Sequence, residues 1–146
     1  MLRSLLIVLL LSLSVLAASE IAPKQGATFN NTYIWDGREL QPKSGANFNN
    51  TWVFDGKEVR RKSVVTSKHI WQWDGRMLRP KTGATYADTY MWDGRVLQPK
   101  TGATFNNSWT FDGKEWSKKS GATFANTWVV TGDIPIPVAA VVILHL

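Results

Sequence analysis

An all-β fold made of tandem hairpins is the reading this sequence dictates, on three observations. It has a rhythm of 19 residues, an Asp-Gly pair in almost every period, and aromatic residues alternating with other types just ahead of each pair. Gly37, Gly56, Gly75, Gly94, Gly113 and Gly132 recur without insertion or deletion, and the first five follow Asp36, Asp55, Asp74, Asp93 and Asp112. Written once, the unit reads Pro-Lys-Ser/Thr-Gly-Ala-Thr-Phe-Asn-Asn-Thr-aromatic-x-aromatic-Asp-Gly-Lys/Arg-x-Leu-x, with units starting at 23, 42, 61, 80, 99 and 118.

The segment before the first unit is a targeting signal by composition. Met1 to Arg3 gives a short positive start, Leu5 to Leu16 an apolar run, and Ala17-Ala18-Ser19 the small residues of a cleavage site. Residues 1–19 therefore read as a secretory signal peptide, leaving one repeat domain over 20–146 and no transmembrane span in the mature chain. Secretion or a periplasmic location follows, and the absence of cysteine means that packing alone must hold the fold.

Within each unit, Asp-Gly flanked by alternating apolar residues signals a β-hairpin. With Asp36-Gly37 as a two-residue loop, Trp35 faces Arg38 and Tyr33 faces Leu40. Phe29, Asn31, Tyr33, Trp35 and Leu40 then share one side of the sheet, while Thr32, Ile34, Glu39 and Gln41 share the other. The Pro42 to Gly45 stretch supplies the return turn. Two or three strands per unit both fit. One hairpin buries almost nothing alone, so neighbours must complete it as a meander, a solenoid or a closed barrel-like array. The last segment, Ile134 to Leu146, departs from the unit and reads as a cap or closing strand, which would leave no sheet edge.

Two rows of residues carry the functional reading. Flat rings stack on sugar faces, which makes Trp35, Trp52, Trp73, Trp92 and Trp109 candidate ligand contacts, although the same rings are also what a core can be made of. Lys43, Lys62, Lys81 and Lys100 keep one register and form a row of like charge, which an anionic polymer would satisfy. The hairpin loops need no metal, and no nucleophile, base or unlike carboxylate pair stands out; neither a metal, a cofactor nor a catalytic residue is assigned. His69 reads as a surface histidine in the degenerate third unit. Tyr33 to Arg38 and its equivalents resemble in construction the choline- and glucan-binding repeats of bacterial cell-wall proteins. Those repeats begin with Gly-Trp, whereas this unit begins with Pro-Lys-Ser-Gly-Ala-Thr.

The net charge of +6 and the ordered rings thus point to a non-enzymatic module for a repetitive envelope or extracellular polysaccharide, the lysines favouring a polyanionic one, with no specific nucleic acid partner. A structural or adhesive envelope protein that self-associates is the alternative. Ice binding is a third, from the threonine columns Thr28, Thr85, Thr104, Thr123 and Thr32, Thr51, Thr89, Thr127.

Overall fold

Each Asp-Gly pair does close a two-stranded hairpin, but one residue later along the chain than the pattern implies. The Asp36 carboxylate accepts the backbone N–H groups of Arg38 (2.8 Å) and Glu39 (2.7 Å), so Asp36 stands outside the turn it caps. Gly37 takes φ +99° while Arg38 keeps a negative φ, whereas a type I′ turn needs positive values at both central residues. The ladder accordingly sets Trp35 opposite Leu40 and Tyr33 opposite Pro42, in place of the expected Trp35–Arg38 and Tyr33–Leu40 pairs. The same carboxylate cap recurs at Asp55, Asp74, Asp93 and Asp112.

The computed structural model describes residues 18–63 and 66–146. Its strands are β1 (Ser19–Pro23), β2 (Tyr33–Trp35), β3 (Glu39–Pro42), β4 (Trp52–Phe54), β5 (Glu58–Arg61), β6 (Ile70–Trp73), β7 (Met77–Pro80), β8 (Tyr90–Trp92), β9 (Val96–Pro99), β10 (Trp109–Phe111), β11 (Glu115–Lys118) and β12 (Trp128–Thr131). All pair antiparallel with their neighbours, and β1 pairs with both β2 and β12, so the sheet is a closed barrel. Five of the 19-residue periods hold two strands each, and the last holds β12, whose hairpin partner is β1. Residues 1–17 of the expected signal peptide lie outside the described residues. Ser19, which closes that expected segment, belongs to β1, and its hydroxyl accepts the Asp133 N–H at 2.9 Å.

Closure is made by the first strand. The β12·β1 pair repeats the register of the other hairpins, with Trp128 opposite Pro23 and Val130 opposite Ile21. Lys24 N–H donates to the Thr127 carbonyl at 2.8 Å, as Lys43 N–H does to Thr32. Residues from opposite ends of the chain thus build one further hairpin, without the turn. Gly132 occupies the vacant turn position, where a Cβ would come within 2.5 Å of the Ser19 hydroxyl.

Alternation along the strands sends Trp35, Leu40 and their equivalents inward and Ile34, Glu39 and Gln41 outward. Leu40 lies opposite both Trp35 and Trp52, so aliphatic and aromatic side chains alternate around most of the lumen; Trp116 takes the aliphatic place between Phe111 and Trp128. Ile21, Leu40, Val59, Leu78 and Leu97 are wholly buried, and Trp35, Trp52, Trp109 and Trp116 nearly so. Phe29, expected on this side, instead stands in a connecting loop and is 67% exposed.

The final segment is a helix, α1 (Ile136–Ile143), rather than the expected cap or closing strand. Every residue from Pro137 to Ile143 is buried, in one core with the wall residues. Pro135 lines one cleft with Trp35 and Gly37 at the Asp-Gly end, whereas Leu144 and His145 line another with Asn107 and Asn126 at the opposite end. The helix therefore threads the lumen. Two physical reasons favour it over a strand. Eight strands already make a barrel whose interior side chains can fill, and twelve leave a wider space. A helix satisfies its own backbone hydrogen bonds in an apolar lumen, where a lone strand could not. Pro137 in the first turn suits helix initiation, and apolar residues on all sides suit complete burial.

The strands have three to five residues and reach at most about 17 Å, against the 9–11 residues or so of a membrane-spanning strand. No helix among the described residues is long and apolar enough to cross a membrane.

Two outcomes are expected. Val138→Asp places an uncompensated charge in the lumen at a wholly buried position, and circular dichroism should show an unfolded or collapsed chain, whereas Val138→Ile should keep the cooperative melt. Backbone donors, chiefly the Glu58, Met77, Val96 and Glu115 N–H groups respectively, hold the carboxyls of Asp55, Asp74, Asp93 and Asp112 below the usual aspartate range. A depressed folded-state pKa gives stability that is fully present above the unfolded value near 4 and lost as pH falls through the folded value. The melting temperature should therefore hold between about pH 5 and 7 and fall below about pH 4. Asp93→Ala together with Asp112→Ala should reduce that acid-dependent fall.

Candidate functional site

The loops at the end opposite the Asp-Gly turns are built to a common plan that presents one side chain outward. In the loop between β3 and β4, Gly45 takes φ +70° and reverses the chain. Asn50 then staples it: its Oδ1 accepts Asn47 N–H at 2.7 Å and its Nδ2 donates to the Gly45 carbonyl at 3.0 Å. Asn31, Asn107 and Asn126 make the same pair of bonds in their loops. At the foot of the loops, Thr32, Thr51, Thr89, Ser108 and Thr127 are buried, and the Thr89 hydroxyl donates to the Thr85 carbonyl at 2.6 Å.

With the loop fixed at both ends, the ring between the staple residues has nowhere to pack. Phe29, Phe48, Tyr86, Phe105 and Phe124 are 64–67% exposed. Beside each stands a lysine whose ammonium lies 4.4–5.6 Å from the ring centroid: Lys43 at Phe29, Lys62 at Phe48, Lys100 at Tyr86, Lys119 at Phe105 and Lys24 at Phe124. The row is interrupted once. The loop between β5 and β6 has Ser67 where the others have a ring, within a short 3-10 turn, Ser67–His69. The Ser67 hydroxyl lies 3.1 Å from that of Thr82.

The lysines reach down the outer wall to glutamates of the neighbouring hairpin. Lys43 pairs with Glu20, Lys62 with Glu39 and Lys81 with Glu58, each at 2.8 Å, and Lys24 pairs with Glu115 at 2.9 Å. Lys81, followed by burial and then by Gln72, shapes the Glu58 carboxyl; the hydrogen bonds from Lys81 and Gln72 hold it below the ordinary glutamate range. At the corresponding wall positions for Lys100 and Lys119 stand Met77 and Val96, and neither lysine has an ion pair among the described residues. The positive charge of Lys119 adds, after the Val96 and Arg95 backbone N–H groups, to what holds the Asp93 carboxyl down. Exposed pairs of this kind are worth about 0–1 kcal/mol each, so the missing glutamates cost the fold little. What they change is charge. The stretch carrying Tyr86, Lys100, Phe105 and Lys119 has two lysines on adjacent hairpins without an ion pair among the described residues.

The residues singled out from sequence separate into three environments. Trp35, Trp52 and Trp109 are buried in the lumen at 4–7% exposure, where they pack with α1 and the wall aliphatics. Trp73 and Trp92 are partly buried against that core, and Trp92 lies 5.5 Å from Trp116. Lys43, Lys62 and Lys81 have their charge answered from within the protein, and Lys100 does not. The exposed rings escaped the sequence reading, which placed Phe29 among the inward residues by strand parity. A signal was present: an aromatic recurring in an Asn-rich stretch, in the same 19-residue register, with no alternating apolar neighbours. Among the described residues no three His, Asp or Glu side chains gather as a metal site.

No protein-family model, no curated protein and no solved structure matches this chain.

Proposed function

We propose that this chain is a secreted, non-enzymatic binding module that takes a repetitive extracellular or envelope glycan along its loop-end rim. The observation that carries this reading is the row of exposed rings, four of them in Asn-stapled loops and Tyr86 in a loop where Asp88 accepts the Thr85 N–H, each beside a lysine. Rings held open to water without a packing partner suit the apolar faces of sugars, and their repetition lets several weak contacts add through effective concentration. Acidic groups on such a polymer are taken by Lys100 and Lys119, the lysines without a wall glutamate.

Isothermal titration with a polyuronate and with a neutral glucan, each at two salt concentrations, tests the reading. Tyr86→Ala with Phe105→Ala should weaken binding to both polymers about tenfold, roughly 1.4 kcal/mol. Met77→Glu with Val96→Glu supplies the two missing wall acids and should weaken the polyuronate alone, while removing its salt dependence. Failure of the intact chain to bind either polymer would sink the proposal. Five exposed rings also favour self-association, the second reading. Sedimentation velocity without polymer that shows assembly lost in the Tyr86→Ala, Phe105→Ala variant would select it.

A further inference from the structure

The inward position that ends each hairpin at the loop side is proline in most of the barrel: Pro23, Pro42, Pro80 and Pro99. Two hairpins depart from this, with Arg61 and Lys118. Each of the two basic residues is the cross-strand partner of a tryptophan and lies over its ring. The Arg61 guanidinium is 5.0 Å from the Trp52 centroid, and the Lys118 ammonium 4.2 Å from that of Trp109. Hairpins β4–β5 and β10–β11 lie on opposite sides of the closed sheet. The two basic groups therefore flank the mouth through which the chain leaves the lumen after α1.

Their situations differ. Arg61 has two partners: it donates to the Asn49 carbonyl at 2.9 Å and to the Leu146 carbonyl at 3.1 Å, tying the segment after α1 to the wall. Lys118 has neither a hydrogen bond nor an ion pair with any described residue. It lines an open cleft of about 530 Å³ with Tyr90, Trp109, Trp128 and His145. Burial alone pulls its ammonium below the usual lysine range. His145 adds a backbone observation. It follows the C-cap residue of α1 with φ +56°, a left-handed conformation that favours glycine, and no other non-glycine among the described residues adopts it. Leu146 N–H and His145 N–H close back on Val141 and Val142 at 3.3 Å, so the imidazole is carried at the cleft by a fixed turn. A cation without a counter-ion, three aromatic side chains and an imidazole on a strained residue converge on one opening.

We infer that this cleft binds a carboxylate carried on a six-membered ring, with the carboxylate on Lys118 where it stands over Trp109 and the apolar face of the ring against the partly buried Tyr90 and Trp128. The charge-assisted hydrogen bond would supply the missing partner of the ammonium, and the rings would cover the ligand's apolar face. An acidic sugar residue and a free aromatic acid share this chemistry. The site is independent of the exposed rim, since it uses none of the outward rings and needs no polymer.

The test follows the tryptophan indole N–H signals of the intact protein by NMR during titration with glucuronate, benzoate, glucose and benzyl alcohol. The Trp109 and Trp128 signals should shift saturably with an acid and not with its neutral counterpart. A response to glucuronate identifies an acidic saccharide as the source of the carboxylate; a response to benzoate identifies a free aromatic acid. Lys118→Pro restores the residue found in four other hairpins and should weaken binding at least tenfold with the remaining indole signals in place. Should that variant lose its dispersed spectrum, Lys118→Met takes its place. Tyr86→Ala with Phe105→Ala, which removes rim contacts, should leave the titration unchanged. Absence of any acid-dependent shift at Trp109 and Trp128, or equal affinity in the Lys118 variant, overturns the inference.

Discussion

Filling a lumen wider than wall side chains can span is the constraint on which the rest of this structure depends. Twelve short strands close a circle whose centre lies beyond the reach of a single layer of aliphatic residues. The chain meets this in two ways: tryptophan, tyrosine and phenylalanine line the wall, and α1 occupies the middle. Ala139 and Ala140 are both buried within that helix, and large wall rings such as Trp116 share its core. Small residues on the plug and large residues on the wall are complementary, as close packing demands. The aromatic richness of the sequence is in this sense a property of the barrel's diameter before it is a property of any site.

That demand divides the repeat by side. Inward positions vary in size but stay apolar over most of their length, because volume decides them. Outward positions carry the Lys–Glu ties between hairpins, which contribute little to stability and can lapse, as they do at Met77 and Val96. Loop positions are set by neither. Their backbone is fixed by Asn31, Asn50, Asn107 and Asn126, so the side chain between the staples is available for other purposes. A fold so regular therefore confines its individuality to a few departures: Ser67 in the ring row, Met77 and Val96 on the wall, and Arg61 and Lys118 at the mouth.

Much of the architecture was legible in the sequence because period and turn chemistry are local. Asp-Gly at every nineteenth step located the hairpins, and alternation put Trp35 and Leu40 on one side correctly. Three features were not legible, each for a physical reason. The turn register slipped by one residue because the Asp36 carboxylate caps the turn from outside, a hydrogen-bond choice that composition does not reveal. Phe29 was assigned inward by strand parity, which lapses once the chain leaves the strand for a stapled loop. The Ile134 to Leu146 segment read as a strand because its β-branched residues and prolines suit one; the need for a lumen plug appears only once the number of strands in the closed sheet is known. The candidate site suffered most, since large rings satisfied a binding reading and a core reading alike, and only burial separates them.

The closure by β1 and β12 also sets an order of events for a newly made chain. Ser19 and Asp133, which bond across the seam, are 114 positions apart, so the first strand is complete long before its partner exists. Throughout synthesis the growing sheet keeps two open edges and an unplugged interior. The helix that fills the interior directly follows β12 in the chain, so seam and plug are completed almost together. A ribosome that pauses before Ile136 would hold a sticky, half-rolled sheet, and the cell's chaperones would meet this protein at that moment.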